Sequence, residues 1–158
     1  MARPEHAGFL GEYLPYILRR ADQTLSAGLY ALLNEHGVAR SEWRVLAVLE
    51  ERGAMTVLEL ADAALSPQPT VTHAVRRLEE RGLVSREPGA TDRRQRIITI
   101  TAAGSSLTRT LIAEATRLQE QAFATAGEPG DLVDRLRELI AAVESAADDH
   151  TYESPRAS

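Results

Sequence analysis

A mainly α-helical fold carrying one small β-wing is what this sequence predicts. Three observations predict it: leucines at helical spacing over most of the chain, a pair of short helices with only a couple of residues between them, and a switch to β-branched residues after Gly82. At 158 residues and 44% hydrophobic, the chain is long enough for one domain, or for two small ones sharing a core.

Leu14, Ile17, Leu18, Ala21, Leu25, Leu29, Leu32 and Leu33 share one face of a long helix from about Leu14 to Glu35. Pro15 fits only near its first turn, and His36-Gly37 supplies a glycine stop. Ser41 can cap a second helix that closes at Gly53. Thr56 with Glu59 three residues on is a capping box, which starts a short helix through about Ala64. Ser66 followed by Pro67 is a further N-cap, with proline at the first position of a helix ending at Gly82. These last two form a helix-turn-helix candidate. After Gly82, "LVSRE" and "RIITIT" read as strands joined by "PGATDRRQ", a hairpin with a long basic tip. Thr101 caps a helix through about Ala126, "GEPGD" breaks it, and Asp131 starts a last helix. The polar tail over 148–158 is expected to be disordered. A helix-turn-helix followed directly by a hairpin is the winged helix-turn-helix arrangement.

Composition removes several classes of function. Without cysteine there are no disulfides, no Cys-ligated zinc and no thiol chemistry. No run approaches 18 apolar residues, and the N-terminus lacks the apolar core of a signal peptide, so a cytoplasmic protein with no membrane partner is expected. A Gly-rich phosphate loop, a Ser nucleophile elbow and an HExxH helix are all missing, which argues against an enzyme and against a cofactor. The histidines at 6, 36, 73 and 150 lack the i, i+4 spacing of a preformed metal site, so no metal is expected.

Charge points to an anionic partner. All 18 basic residues are arginine, and seven of them lie between Ser66 and Thr101 against four acids, in a chain whose formal net charge is −5. Surface potential is set by charge within roughly 10 Å at physiological salt, so a basic segment on an acidic body favours a local contact. Val71, Val75 and Leu78 define the buried stripe of the second helix of the pair. The opposite face holds Pro69, His73, Arg76, Arg77 and Glu80, flanked by Thr70 and Thr72, with Ser66 and Gln68 at the start. Such a face suits double-stranded DNA: arginine bonds guanine edges, and threonine bonds bases or phosphates in the major groove. Arginines on a thin ribbon, here Arg93, Arg94 and Arg96, suit a narrow minor groove, with Asp92 placed to orient Arg94. A winged-helix module used only for protein contact is the competing reading.

The residues also resemble a known family. Trp43-Arg44-Val45-Leu46, Thr70-Val71-Thr72, Leu78-Glu79-Glu80-Arg81-Gly82-Leu83-Val84 and the D-x-R element Asp92-Arg93-Arg94 leading to Ile100-Thr101 look like the MarR family of bacterial winged-helix transcription regulators, over Ser41 to Gly104. The resemblance implies a homodimeric repressor on a pseudo-palindromic operator. Arg94 would enter the minor groove and the helix from Pro67 to Arg81 would read the major groove. Two residues depart from the family pattern: His73 stands where arginine is common, and Ile100 where leucine is. The resemblance also implies a small aromatic or phenolic effector in a crevice lined by the first, second and fifth helices, for which Tyr13, Tyr16, Arg19, Arg20, His36 and Trp43 are candidates. Independently, a head of roughly 65 residues has no room to cover three further leucine-striped helices. The expected organisation is therefore a dimerisation helix over 1–36, a winged helix-turn-helix DNA-binding domain over 37–101, dimerisation helices over 102–147 and the tail.

Overall fold

The computed structural model describes residues 8–89, 95–127 and 130–151, the side chains of 148–151 excepted. Two compact units divide the chain, Met1–Gln119 and Glu120–Ser158. The first opens with α1 (Phe9–Glu12), α2 (Leu14–Leu25) and α3 (Ala27–Glu35). Where the apolar spacing predicts one helix from Leu14 to Glu35, the structure breaks it at Ser26. The Ser26 hydroxyl donates to Asp22 Oδ1 at 3.2 Å and the Thr24 hydroxyl to the Arg20 carbonyl at 2.9 Å. Local polar bonds of this kind, followed by Gly28, weaken the helix at that point. Pro15 does sit in the first turn of α2. The end of α3 is closed by the Val38 N–H on the Leu33 carbonyl at 2.8 Å, with Gly37 at φ 62°.

Helix α4 (Arg40–Arg52) is capped from within, not by Ser41 as its sequence suggests. Its N-cap is Ala39, whose N–H donates to the Glu42 carboxylate at 2.9 Å, and Ser41 falls in the first helical turn. A short strand β1 (Met55–Thr56) leads into α5 (Val57–Ala63) through the expected capping box. Thr56 Oγ1 accepts from the Glu59 N–H at 3.3 Å, and Glu59 Oε2 accepts from the Thr56 N–H at 2.8 Å. Two hydrogen bonds from Thr56, that of its backbone first, hold the Glu59 carboxyl below its ordinary pKa.

The turn after α5 corrects a second cap. Leu65, at φ 49°, takes the left-handed conformation, and the Ser66 N–H donates back to the Ala61 carbonyl at 3.0 Å. Ser66 is thus committed to closing α5, with its hydroxyl on the Ala64 carbonyl at 3.0 Å. Pro67 becomes the N-cap of α6 (Gln68–Glu80), and Pro69 occupies its first turn. Gly82, at φ 69°, ends that segment and feeds β2 (Val84–Pro88). This strand pairs antiparallel with β3 (Arg96–Ile100) from Val84↔Ile100 to Pro88↔Arg96. The hairpin is part of a three-stranded sheet of order β1-β3-β2, with Met55 opposite Ile98. Strand β1 gives no signal in the sequence, because two residues are too few to show alternation. Pro88 lies on the edge strand, where a missing N–H breaks no ladder.

One core lies under the helix-turn-helix: Val45, Leu46 and Leu49 of α4, Leu60 of α5, Val71, Ala74, Val75 and Leu78 of α6, with Val84 and Ile98 of the sheet. Helix α7 (Ala102–Ala126) begins at Thr101, whose Oγ1 accepts from the Gly104 N–H at 3.1 Å. Leu111 of α7 joins Leu33 and Val38 in a second cluster, and Leu107 packs against both.

The second unit contains α8 (Leu132–Thr151), which exposes Leu132, Val133, Leu139, Ile140 and Val143. It runs past residue 147, where the sequence places the start of a disordered tail. Between Ser145 and Thr151 there is neither glycine nor proline, and the first proline stands at 155. Among the described residues no helix is long and apolar enough to cross a membrane.

Candidate nucleic-acid interface

Helix α6 divides cleanly by face. Val71, Ala74, Val75 and Leu78 are buried, while Gln68, Pro69, Thr70, Thr72, His73, Arg76 and Arg77 are exposed and Ser66 is half-buried. Because the apolar residues recur every three to four positions, burying them under α4 and α5 forces the polar residues outward. Thr72 is held along the helix, its hydroxyl donating to the Gln68 carbonyl at 2.9 Å. Arg76 lies between two neighbours on its own helix: Nη2 is 3.4 Å from His73 Nδ1, and Nε is 3.8 Å from Glu80 Oε1. An exposed pair such as Arg76–Glu80 contributes only about 0 to 1 kcal/mol, so the guanidinium remains available to a stronger anion.

Arg77 behaves differently from the rest of the predicted set. Its Nε lies 2.8 Å from Oε1 of Glu42, whose side chain is only 1% exposed. Arg81 approaches the other oxygen of that carboxylate at 3.2 Å, and also donates to the Gly37 carbonyl at 2.9 Å. The Arg77 guanidinium thus pairs with a buried carboxylate while its own side chain stays 48% exposed, and Glu42 Oε1 takes no hydrogen bond from it.

The wing is tied to α6 as well. Arg86 Nε of β2 lies 2.9 Å from Glu79 Oε2, an ion pair without a hydrogen bond that joins the ribbon to the helix by charge. Arg96 stands exposed at the start of β3. The Gly89 N–H donates to the Gln95 carbonyl at 3.0 Å and closes the base of the tip. Asp92, Arg93 and Arg94 lie outside the described residues. The partners Glu42, Arg81 and Arg86 escape a reading by pattern, since each pairs across elements; the one local signal is Glu42 three residues after a cap position.

Among the described residues, the candidate effector residues fall in several separate places. Tyr16 and Arg20 line a cleft of about 570 Å³ on α1 and α2, with Leu10, Ile17, Thr24 and Leu25. Tyr13 instead stacks on Phe9 at 4.8 Å between ring centroids. His36 is at the end of α3, its Nδ1 3.0 Å from the Leu32 carbonyl. Trp43 lines a separate cleft of about 330 Å³ with Arg44, Val48 and Leu65. Arg19 is exposed on α2. Helical spacing places Tyr13, Tyr16 and Arg20 near one another, yet of these only Tyr16 and Arg20 line the cleft on α1 and α2.

Comparison with known proteins agrees with this architecture. A family model described as "MarR family" matches residues 36–95. The homoprotocatechuate degradative operon repressor of Escherichia coli is 30% identical over 139 residues, which cover 86% of this chain and 93% of that protein. A solved MarR family transcriptional regulator from Silicibacter pomeroyi DSS-3 superposes with a TM-score of 0.75 at 28% identity, over 86% of this chain and 98% of the other. BpsR of Bordetella bronchiseptica, solved in a study of how 6-hydroxynicotinic acid regulates its DNA binding, gives a TM-score of 0.72 at 25% identity, covering 84% of this chain and 96% of that one. Winged helix, exposed polar reading face and near full-length similarity to a repressor lead to one conclusion: this chain belongs to the MarR family of transcription regulators.

Proposed function

We propose that this regulator is a repressor that binds a pseudo-palindromic operator as a homodimer, in the cytoplasm and without catalytic activity of its own. The observation that carries the reading is the solvent face of α6, where Gln68, Thr70, Thr72, His73 and Arg76 project from a helix packed on an apolar core. A helix with small hydroxyls in its first turns and a guanidinium behind them reads base edges from its N-terminal half. Arg93, Arg94 and Arg96 of the wing would add a minor-groove contact, with Asp92 orienting Arg94. Glu80 disfavours phosphate, so the C-terminal end of α6 leaves the groove.

Dimerisation follows from the exposed apolar side chains of α1 and α2, among them Phe9, Leu10, Leu14, Ile17 and Leu18. For the effector, the Tyr16–Arg20 cleft is the best supported site: an aromatic wall beside a guanidinium suits a small aromatic carboxylate or phenolate. The E. coli relative controls an operon for degrading an aromatic acid, and BpsR responds to another aromatic acid.

The test is salt-titrated binding to duplexes selected from the source genome. Phosphate contacts require log K to fall linearly with log[salt], and specific reading requires a preferred fragment. Arg76→Ala is expected to weaken binding to that fragment by about 1 to 3 kcal/mol and to alter base preference. Binding that ignores both salt and sequence would leave the protein-contact reading in its place. Titration with 6-hydroxynicotinic acid checks the cleft: wild type releases the duplex and Arg20→Ala does not.

A further inference from the structure

Beyond the residues that would touch DNA, the structure singles out a carboxylate that would not. Glu42 is completely buried, yet it belongs to α4 and not to the DNA-facing surface. Three groups from two elements converge on it: the Ala39 N–H at 2.9 Å, Arg77 at 2.8 Å and Arg81 at 3.2 Å. Both arginines stand on the last turns of α6 and its C-cap, four residues apart. Arg81 carries the connection further, with Nη1 on the Gly37 carbonyl at 2.9 Å and Nη2 on the His36 carbonyl at 3.5 Å. The end of α3, the start of α4 and the end of α6 are thus held at one buried charge.

We propose that Glu42 is the positioning residue of the reading helix: its carboxylate, through Arg77 and Arg81, sets the angle at which α6 is presented and links that angle to the end of α3. The inference rests on the reading of α6 as the DNA-contacting helix. Apolar packing alone leaves a helix some freedom to roll and slide in its groove, because hydrophobic contacts are not directional. A buried carboxylate restricts that freedom: Arg81 and the Ala39 N–H hydrogen-bond one of its oxygens, while Arg77 meets the other at ion-pair distance without a hydrogen bond, held by charge. The geometry places this constraint at the C-terminal end of α6, which leaves the N-terminal half free to enter a groove. Arg81 makes the constraint sensitive to α3: a displacement of the His36–Gly37 carbonyls pulls on the residue that caps α6.

The experiment compares two duplexes on folded full-length protein, the operator fragment recovered by genomic selection and a scrambled fragment of equal length. Glu42→Gln keeps the shape and an acceptor for Ala39 but removes the charge. It is expected to lose about tenfold in affinity for the operator while binding to the scrambled duplex changes less than about twofold, because pose governs base contacts more than phosphate contacts. Arg81→Gln, which releases α3 while leaving Arg77 on Glu42, is expected to lower the same ratio by a smaller factor. A merely stabilising role predicts a lower melting temperature with the ratio unchanged in both variants, and that result overturns the proposal. If Glu42→Gln does not fold, the ratio for Arg81→Gln decides alone. Arg76→Ala separates the two levels: loss of the ratio there, with both clamp variants like wild type, keeps the DNA reading and discards Glu42. A wild-type chain that prefers no fragment discards both.

Discussion

At Gly104 a single methyl group would be too much. A Cβ there would meet the Leu83 carbonyl oxygen and Ile100 Cγ1, and the same carbonyl already accepts the Thr101 N–H at 3.0 Å. Backbone cannot swing aside as a side chain can, so Gly104→Ala is expected to cost about 2 to 3 kcal/mol, visible as a lowered melting temperature. Gly28 is the internal contrast. Its added Cβ would approach the Leu118 side chain, nearest at Cδ2 at 3.2 Å, the far end of a flexible chain, and alanine favours the helix by about 1 kcal/mol. Gly28→Ala should therefore be neutral or stabilising. Glu59 makes a prediction about pH. Its folded pKa lies below the ordinary 4.5, held down chiefly by the Thr56 backbone hydrogen bond. A depressed carboxylate adds stability that is present above its unfolded pKa and lost as pH falls through the folded one. Denaturant melts of wild type and Glu59→Gln should differ at pH 7 and converge only as pH falls through the folded pKa, below 4.5. A difference that persists in acid would show that the cap does not depend on the charge.

At the scale of an element, α6 carries two adjacent arginines with opposite duties. Arg76 is bracketed by His73 and Glu80 on its own surface, and Arg77 reaches buried Glu42. Removing Arg77 leaves that carboxylate with Arg81 and the Ala39 N–H; because the Arg77 side chain is 48% exposed, solvent screens part of the loss. Arg77→Ala is expected to destabilise by about 1 to 2 kcal/mol, a fall of roughly 2 to 8 °C in melting temperature. Arg76→Ala should leave the melt unchanged and act on DNA binding alone. The sequence already separates the apolar from the polar side of this helix, because Val71, Val75 and Leu78 follow a 3.6-residue period that needs no tertiary information. It does not separate Arg76 from Arg77, since their difference depends on a residue 35 positions earlier in the chain. Caps show the same limit. Thr56 with Glu59 is a local device and forms as read, whereas Ser66 is claimed by the preceding helix and Ser41 is displaced by Glu42. The tip with Asp92, Arg93 and Arg94 is legible as a basic loop, and its base is held by Gly89 and Gln95.

For the whole molecule, the decisive feature is apolar surface that a lone chain leaves in water. In the first unit, Phe9 is 73% exposed and Leu10 52%, with Leu14, Ile17 and Leu18 beside them on successive turns. The second unit, taken by itself, exposes Ile140 and Val143 on α8. A stable interface buries about 800 Å² per partner with an apolar centre, and a stripe of large aliphatic residues with aromatic neighbours supplies that kind of centre. Ile17 is the residue to break, because it lies within the stripe and also lines the Tyr16–Arg20 cleft. Ile17→Glu places a charge where a partner chain would have to desolvate it, at a cost of several kcal/mol with no cation opposite. Sedimentation at micromolar concentration is expected to convert a dimer into a monomer, with the helical circular dichroism of the head retained. Operator affinity should fall far more than any contact loss explains, since joining two half-site readers raises apparent affinity by about 10² to 10⁴. A half-site duplex provides the control: both forms should bind it alike. If Ile17→Glu remains dimeric, then α2 is not the seam, and the exposed face of α8 becomes the surface on which the two chains meet.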